Sequence, residues 1–446
     1  MRRHALLMML ALLGACAHYQ PLPLDVEPAT LKSPANAALA RAAATIDRPF
    51  LTPTSIDLGK PLDANAVAVI AVIANPDLKA LRLRAGIADA QVFAAGLLPD
   101  PTFSLGVDKV LSGPDQLLNI AGALGLELNA LRTRPVELAK VRAQVKQVRL
   151  DLAWAEWQTA GQARLQAVRI AGLERGMLLA EASRDATQGL LERVLRAAGR
   201  ADLAAEQVHL ARLAALDAAE RYRNVERERA TARLELTRLL GLPPQLFLQL
   251  ASSPLPVDPP SAAQLLTLAQ TGRTDLQALE AGYLAQEAAV RKAVLDQFPA
   301  LSLTINPSRD SAGNTLLGPA VAFTLPLWNR NRGGIAIEQA TREALKSEYE
   351  ARVFQARAAI AAAINGIELA KRQRADLLRE LPAIVRFAAA SRTAATRGDL
   401  ALATAEATAQ AVRDKQSQLA KNEQDLCEQT IALELLTGTR QETWTR

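Results

Sequence analysis

"NPDLKALRLRAGIADAQVFAAGLLPDPTFSLGV" at residues 75–107 is answered by "RTDLQALEAGYLAQEAAVRKAVLDQFPALSLTI" at residues 273–305. Asp77-Leu78 aligns with Asp275-Leu276 and Pro101 with Pro299, both at an offset of 198 residues. Further along, Asp202-Leu203 aligns with Asp399-Leu400, and Gly241 in "ELTRLLG" with Gly438 in "ALELLTG", at an offset of 197. A register kept over so long a distance marks an internal duplication. The repeats occupy residues 62–250 and 260–446, and a proline-rich linker, 251–259, joins them.

Both repeats read in the same order. A helix of about 35 residues ends near Leu98 or Phe298, where prolines stop it. Alternating stretches follow, "TFSLGVD" and "AGALGLELN" in the first copy, "LSLTINP" and "AVAFTLPL" in the second. They predict one hairpin over 101–129 and one over 300–327, with loops at 109–120 and 307–317. Next comes a very long helix, over 136–198 and 335–396. Leu138, Val141, Val145, Val148, Leu152 and Ala155 recur at alternating intervals of three and four, a heptad seam. At about 1.5 Å per residue such a helix is a rod of about 95 Å. The glycine-containing breaks "AGRADL" and "TRGDL" then turn the chain into a return helix of about 40 residues. Pro382 predicts a kink in the second rod.

Composition agrees with rods rather than a compact enzyme core. Apolar residues make up 50% of the 446-residue chain but aromatics only 4%, so alanine and leucine carry the apolar fraction. The net charge of +6 is too mild to argue for nucleic acid. The fold expected is mainly α with a small β part. Two hairpins cannot close a barrel within one chain, and lipid forbids an open sheet edge. Three copies would supply about twelve strands of a length suited to a bilayer.

The chain begins with Arg2, Arg3 and an apolar run over 5–15, about half the ~20 residues of a spanning helix. Small residues then precede Cys16, the order of a bacterial lipoprotein signal over 1–15. Cys16 is then the lipidated residue of an extended anchor segment, 16–61; in an ordinary secretory signal it is incidental. Cys427 is left without a disulfide partner in the chain and reads as a small buried helix residue.

With "NPDLKAL" and "RTDLQAL" opening the repeats, "LLGLPP" closing the first, "LPLWNRNRGG" entering the second rod and "GDLALATAEA" following the second turn, the chain resembles the TolC-like outer-membrane factors of bacterial efflux systems. The resemblance implies a homotrimer with a 12-stranded β-barrel in outer-membrane lipid and an α-helical barrel reaching into the periplasm. Its tips would meet a periplasmic membrane-fusion adaptor and, through it, an inner-membrane transporter. Tip residues implied are Arg200, Asp202, Leu203, Gly398, Asp399 and Leu400. Family members carry Leu-x-x-Leu-Asp-Ala where three copies narrow the pore, and residues 402–407 match it with Glu406 for Asp and Ala405 for the second Leu. Leu402 and Glu406 are therefore the implied constriction, with cation preference at low salt. The alternative is that Glu406 is a solvated helix acid. His209 lies opposite Glu406 at the 197 offset, and either could face the pore.

The only histidines are His4, His18 and His209, too few for a catalytic metal cluster, and no phosphate loop or nucleophile elbow is present. No cofactor and no reaction are expected. The competing reading is a periplasmic coiled-coil scaffold or adaptor lipoprotein without a pore, which leaves the duplicated hairpins without a purpose.

Overall fold

A computed structural model of the chain describes residues 19–24, 34–109, 111–112, 118–200, 203, 205–251 and 255–444. Cys16, the leader before it and Asp202 lie outside the described residues. The segment expected to be extended holds helix α1 (Asn36–Ala44), as its alanine-rich sequence favours. Ala43, Leu51 and Ile56 from this segment are buried in the core.

Each repeat opens with two helices, not the single one expected: α2 (Ala64–Ala74) and α3 (Pro76–Gly96) in the first, and α6 (Ala262–Gly272) and α7 (Thr274–Leu295) in the second. Asn75 makes the first break. Its side chain accepts from the Leu78 N–H and donates to the Leu239 carbonyl, and Pro76 follows where a helix needs no N–H. Arg273 takes the equivalent place, donating to both oxygens of Asp275 and to the Leu436 carbonyl. A left-handed glycine covers each break, Gly241 at φ +61° and Gly438 at φ +69°. A Cβ on Gly241 would stand 2.3 Å from the Ala74 oxygen, and one on Gly438 2.6 Å from the Gly272 oxygen. The two glycines that align in sequence thus do one job, which a larger residue could not do.

Strands β1 (Thr102–Lys109), β2 (Leu118–Glu127), β3 (Leu301–Arg309) and β4 (Thr315–Phe323) form one antiparallel sheet in the order β1-β2-β3-β4. The two hairpins are therefore joined side by side. The strands run further than expected, leaving only 110–117 and 310–314 as connections. Asp310 closes the second turn, accepting from the N–H groups of Ala312 and Asn314 and from the Asn314 amide. Pro307 has no N–H to give, and the β2–β3 ladder is interrupted opposite it.

Strand β2 passes directly into α4 (Leu128–Ala198), and α8 (Arg332–Arg397) follows two left-handed residues, Arg330 and Asn331. Both rods start before the predicted 136 and 335, and they contain Pro135 and Pro382 without ending there. At 71 and 66 residues they reach about 105 and 100 Å. The return helices are α5 (Ala205–Leu239) and α9 (Leu402–Thr437). Helix α4 packs between α5 and α9, and α9 packs on α8, giving a layer in the order α5, α4, α9, α8. Val141 and Val145 of the predicted seam are buried, and its other members are half-buried. No described helix is long and apolar enough to cross a membrane.

Where α1 to α3 cover α4, the core holds a charge. Glu156, 2% exposed, accepts from Arg82 at 2.6 and 2.9 Å and from Arg48. Burial alone would raise its pKa, but the hydrogen bonds and charges of Arg48 and Arg82 outweigh it and hold the carboxyl below its ordinary 4.5. A depressed pKa in the folded state means stability that is present above the unfolded value and lost as pH falls through the folded one. The thermal midpoint of Glu156→Gln should therefore fall less than the parent's between about pH 5 and about pH 3. Parallel pH profiles for the two proteins would refute this role.

Candidate functional site

Residue parity divides the sheet into two unlike faces. The register pairs Phe103 with Leu124, Val107 with Ile120, Leu124 with Ile305, Leu126 with Leu303, Leu301 with Phe323, and Leu303 with Val321. Pairs directly opposite share a face, so these residues form one continuous apolar surface. Phe103, Leu105, Val107, Leu317 and Val321 are each more than half exposed on it. The reverse face carries Ser104, Gly106, Asp108, Asn119, Ala121, Gly125, Ser302, Thr304, Asn306, Ser308 and Ala320, with Leu316, next to the β3–β4 turn, as its one large apolar residue. Small and polar residues inside with apolar residues outside is the pattern of a barrel wall in lipid. Trp328, 85% exposed, and Phe298 lie at the helical end of the sheet, where an interfacial aromatic belongs. The edges β1 and β4 remain open within one chain.

At the far end the rods turn. Gly199 caps α4 by donating to Leu195 and Ala197 carbonyls. Gly398 caps α8 in the left-handed conformation (φ +84°), with Asp399 N–H bonded back to the Ala394 carbonyl. Arg200, Gly398 and Asp399 are exposed on these turns, and Leu400 is half-buried. Just inside them, α4, α5 and α9 enclose an open groove of about 770 Å³. Leu203, Leu402 and Glu406 line it, whereas Arg200, Gly398, Asp399, Leu400 and His209 do not. His209 is exposed on α5.

Glu406 is not a bare acid. Its carboxylate accepts from Arg193 on α4 at 2.8 Å, and its side chain is only 19% exposed. Arg413, two turns further along the groove, is half-buried and donates to Gln410. Burial lowers the Arg413 pKa from its ordinary value, against the carboxylates of Glu406 and Asp414 and with Arg392 adding to the depression. Sequence pattern pointed to Leu402 and Glu406 but not to Arg193 or Arg413. A contact between residues 213 positions apart leaves no local signal. Elsewhere on α9, Cys427 is half-buried, and burial with Glu423 beside it pushes its thiol up, away from the reactive thiolate.

Comparison with known proteins agrees with this architecture. Residues 265–439 match the model of the outer membrane efflux protein family. No curated protein matches the chain. Among solved structures, the outer-membrane channel OprN superposes with a TM-score of 0.71 at 18% identity, covering 94% of this chain and 99% of its own. The CmeC outer-membrane channel of Campylobacter jejuni gives 0.70 at 14% identity, covering 95% of both chains. CusC, described with its transmembrane channel formation, gives 0.70 at 15% identity over 89% of this chain and 99% of its own. The second repeat thus matches the outer membrane efflux protein family, and the chain as a whole shares the fold of these outer-membrane channels.

Proposed function

We propose that the protein is the outer-membrane channel of a tripartite efflux or export system, a passive homotrimeric conduit. One observation carries this reading above all. A sheet with a lipid-type face and two open edges continues into a helical layer of about 100 Å that has edges of its own, α5 and α8. Three copies joined edge to edge would close both at once, and closure is what a bilayer demands of strands. A scaffold without a pore would have no use for the continuous apolar sheet face. The tips at Arg200 to Leu203 and Gly398 to Leu400 would receive a periplasmic adaptor, which links the channel to an inner-membrane transporter. The constriction lies at Leu402 and Glu406. Cys16 would carry a lipid that adds a second attachment to the outer membrane.

The test has two arms. The purified trimer should conduct in a planar bilayer, and a cysteine placed at Ser112 or Ser311 should react with an impermeant thiol reagent on whole cells, because barrel loops at the sheet's far end face outward. A trimer that does not conduct would return the scaffold reading. Labelling at both positions only after lysis would invert the topology.

A further inference from the structure

The four strands contain four charged residues, Asp108, Lys109, Glu127 and Arg309, and parity sorts them by sign. Asp108 and Glu127 fall on the small, polar face. Lys109 shares parity with Phe103, Leu105 and Val107, and Arg309 with Ile305 and Pro307, so both bases stand on the apolar face. Both end their strands on the connecting-turn side. Lys109 pairs with Leu118, and Arg309 with Ile120 two residues along the same strand. Two strand spacings, about 9.5 Å, separate the backbones of β1 and β3, within reach of two long flexible side chains converging on one group.

Both side chains are exposed, and neither has an ion-pair partner among the described residues. The nearest acid by sequence to Arg309 is Asp310, whose oxygens are taken up by Ala312 and Asn314 in the turn. Charge on the lipid side of a barrel is costly at the bilayer centre and tolerated near its rim, where a basic side chain extends to the headgroups.

We propose that Lys109 and Arg309 form a rim site for the anionic phosphate headgroups of membrane lipid in the leaflet next to the turns. The inference rests on the membrane reading of the sheet. Its ligand is a lipid of net negative charge, its phosphate clamped between an ammonium and a guanidinium that stand opposite Leu118 and Ile120 in the ladder. The guanidinium supplies the planar fork that suits phosphate oxygens. On the reverse face at the same end stands Asp108, whose carboxylate repels the phosphate and keeps it on the outer side.

The experiment is lipid retention by the purified trimer, read by native mass spectrometry after equilibration with equal amounts of phosphatidylglycerol and phosphatidylcholine of identical acyl chains. The parent should retain phosphatidylglycerol about thirtyfold over phosphatidylcholine, the preference expected of two basic residues at a headgroup. The double variant Lys109→Gln/Arg309→Gln should retain the two lipids equally, while Lys79→Gln, on an exposed helical surface, should keep the preference. Should the double variant fail to assemble, the two single variants must each lose part of the preference. Equal retention by the parent, or an unchanged ratio in the variants, overturns the site. So does displacement of phosphatidylglycerol by an equal concentration of inorganic phosphate, which would mark the pair as a reader of free anions. Conductance of the same samples separates the two readings, because a conducting trimer with no headgroup preference fails here alone.

Discussion

Glu434→Ala should be the most destabilising single change in the helical body, by about 3–5 kcal/mol. Glu434 is 1% exposed on α9 and accepts from Arg164 of α4, itself 5% exposed, and from the Gln441 N–H at 2.9 Å. The pair joins the two repeats across the middle of the layer. Removing the carboxylate leaves the Arg164 guanidinium buried without its hydrogen-bonded counter-charge, with only the more distant Glu442 acting on it, and its Nε already lacks a partner. Desolvation of that charge, rather than the lost contact, sets the size of the effect. The double variant Arg164→Met/Glu434→Leu removes both charges and fills the space with apolar atoms, so it should recover most of the loss. The measurement is the midpoint of helical circular dichroism in denaturant for the purified channel. If the double variant is no more stable than Glu434→Ala, the cost lies in packing and not in the stranded charge.

These buried charges also mark what could be read from the sequence. The duplication, the order of helix, hairpin, rod and return helix, and the turns at Gly199 and Gly398 were legible because each rests on local periodicity or on a residue with a restricted role. The break at Asn75 was missed because helical periodicity continues across it. What ends α2 is a side-chain bond to Leu239, 164 residues away, and close approach to Gly241. The strands outrun the expected ends because Ser308, Arg309, Asn119 and Thr315 have the composition of a loop, yet they continue the ladders. The faces of the sheet followed from alternation, but its register across the two hairpins did not, since β2 and β3 come from different repeats. Likewise, Glu156 and Glu434 read as ordinary helix acids until their arginines are brought to them.

At the tips, too, a distant arginine changes what an acid does, here at the proposed constriction. Three bare carboxylates converging on an axis would favour cations. Glu406 paired to Arg193 instead presents three neutral pairs, with Arg413 behind them. Selectivity of the parent at low salt should then be weak, and each single variant should uncover the charge its partner was masking. Arg193→Gln frees a ring of carboxylates and should favour cations by about fivefold, the scale expected from a surface potential of one to a few kT. Glu406→Ala frees a ring of guanidinium groups and should favour anions by a similar factor. The two together should return close to the parent, because the pair is lost as a unit. All shifts should collapse as the Debye length falls from about 30 Å at 0.01 M salt to about 3 Å at 1 M. The measurement is the reversal potential of single channels under a salt gradient. A parent that is strongly cation-selective would mean the Arg193 bond opens in the trimer and leaves Glu406 exposed to the pore. Variants indistinguishable from the parent at low salt would place Glu406 away from the conducting path and move the constriction elsewhere on the tips.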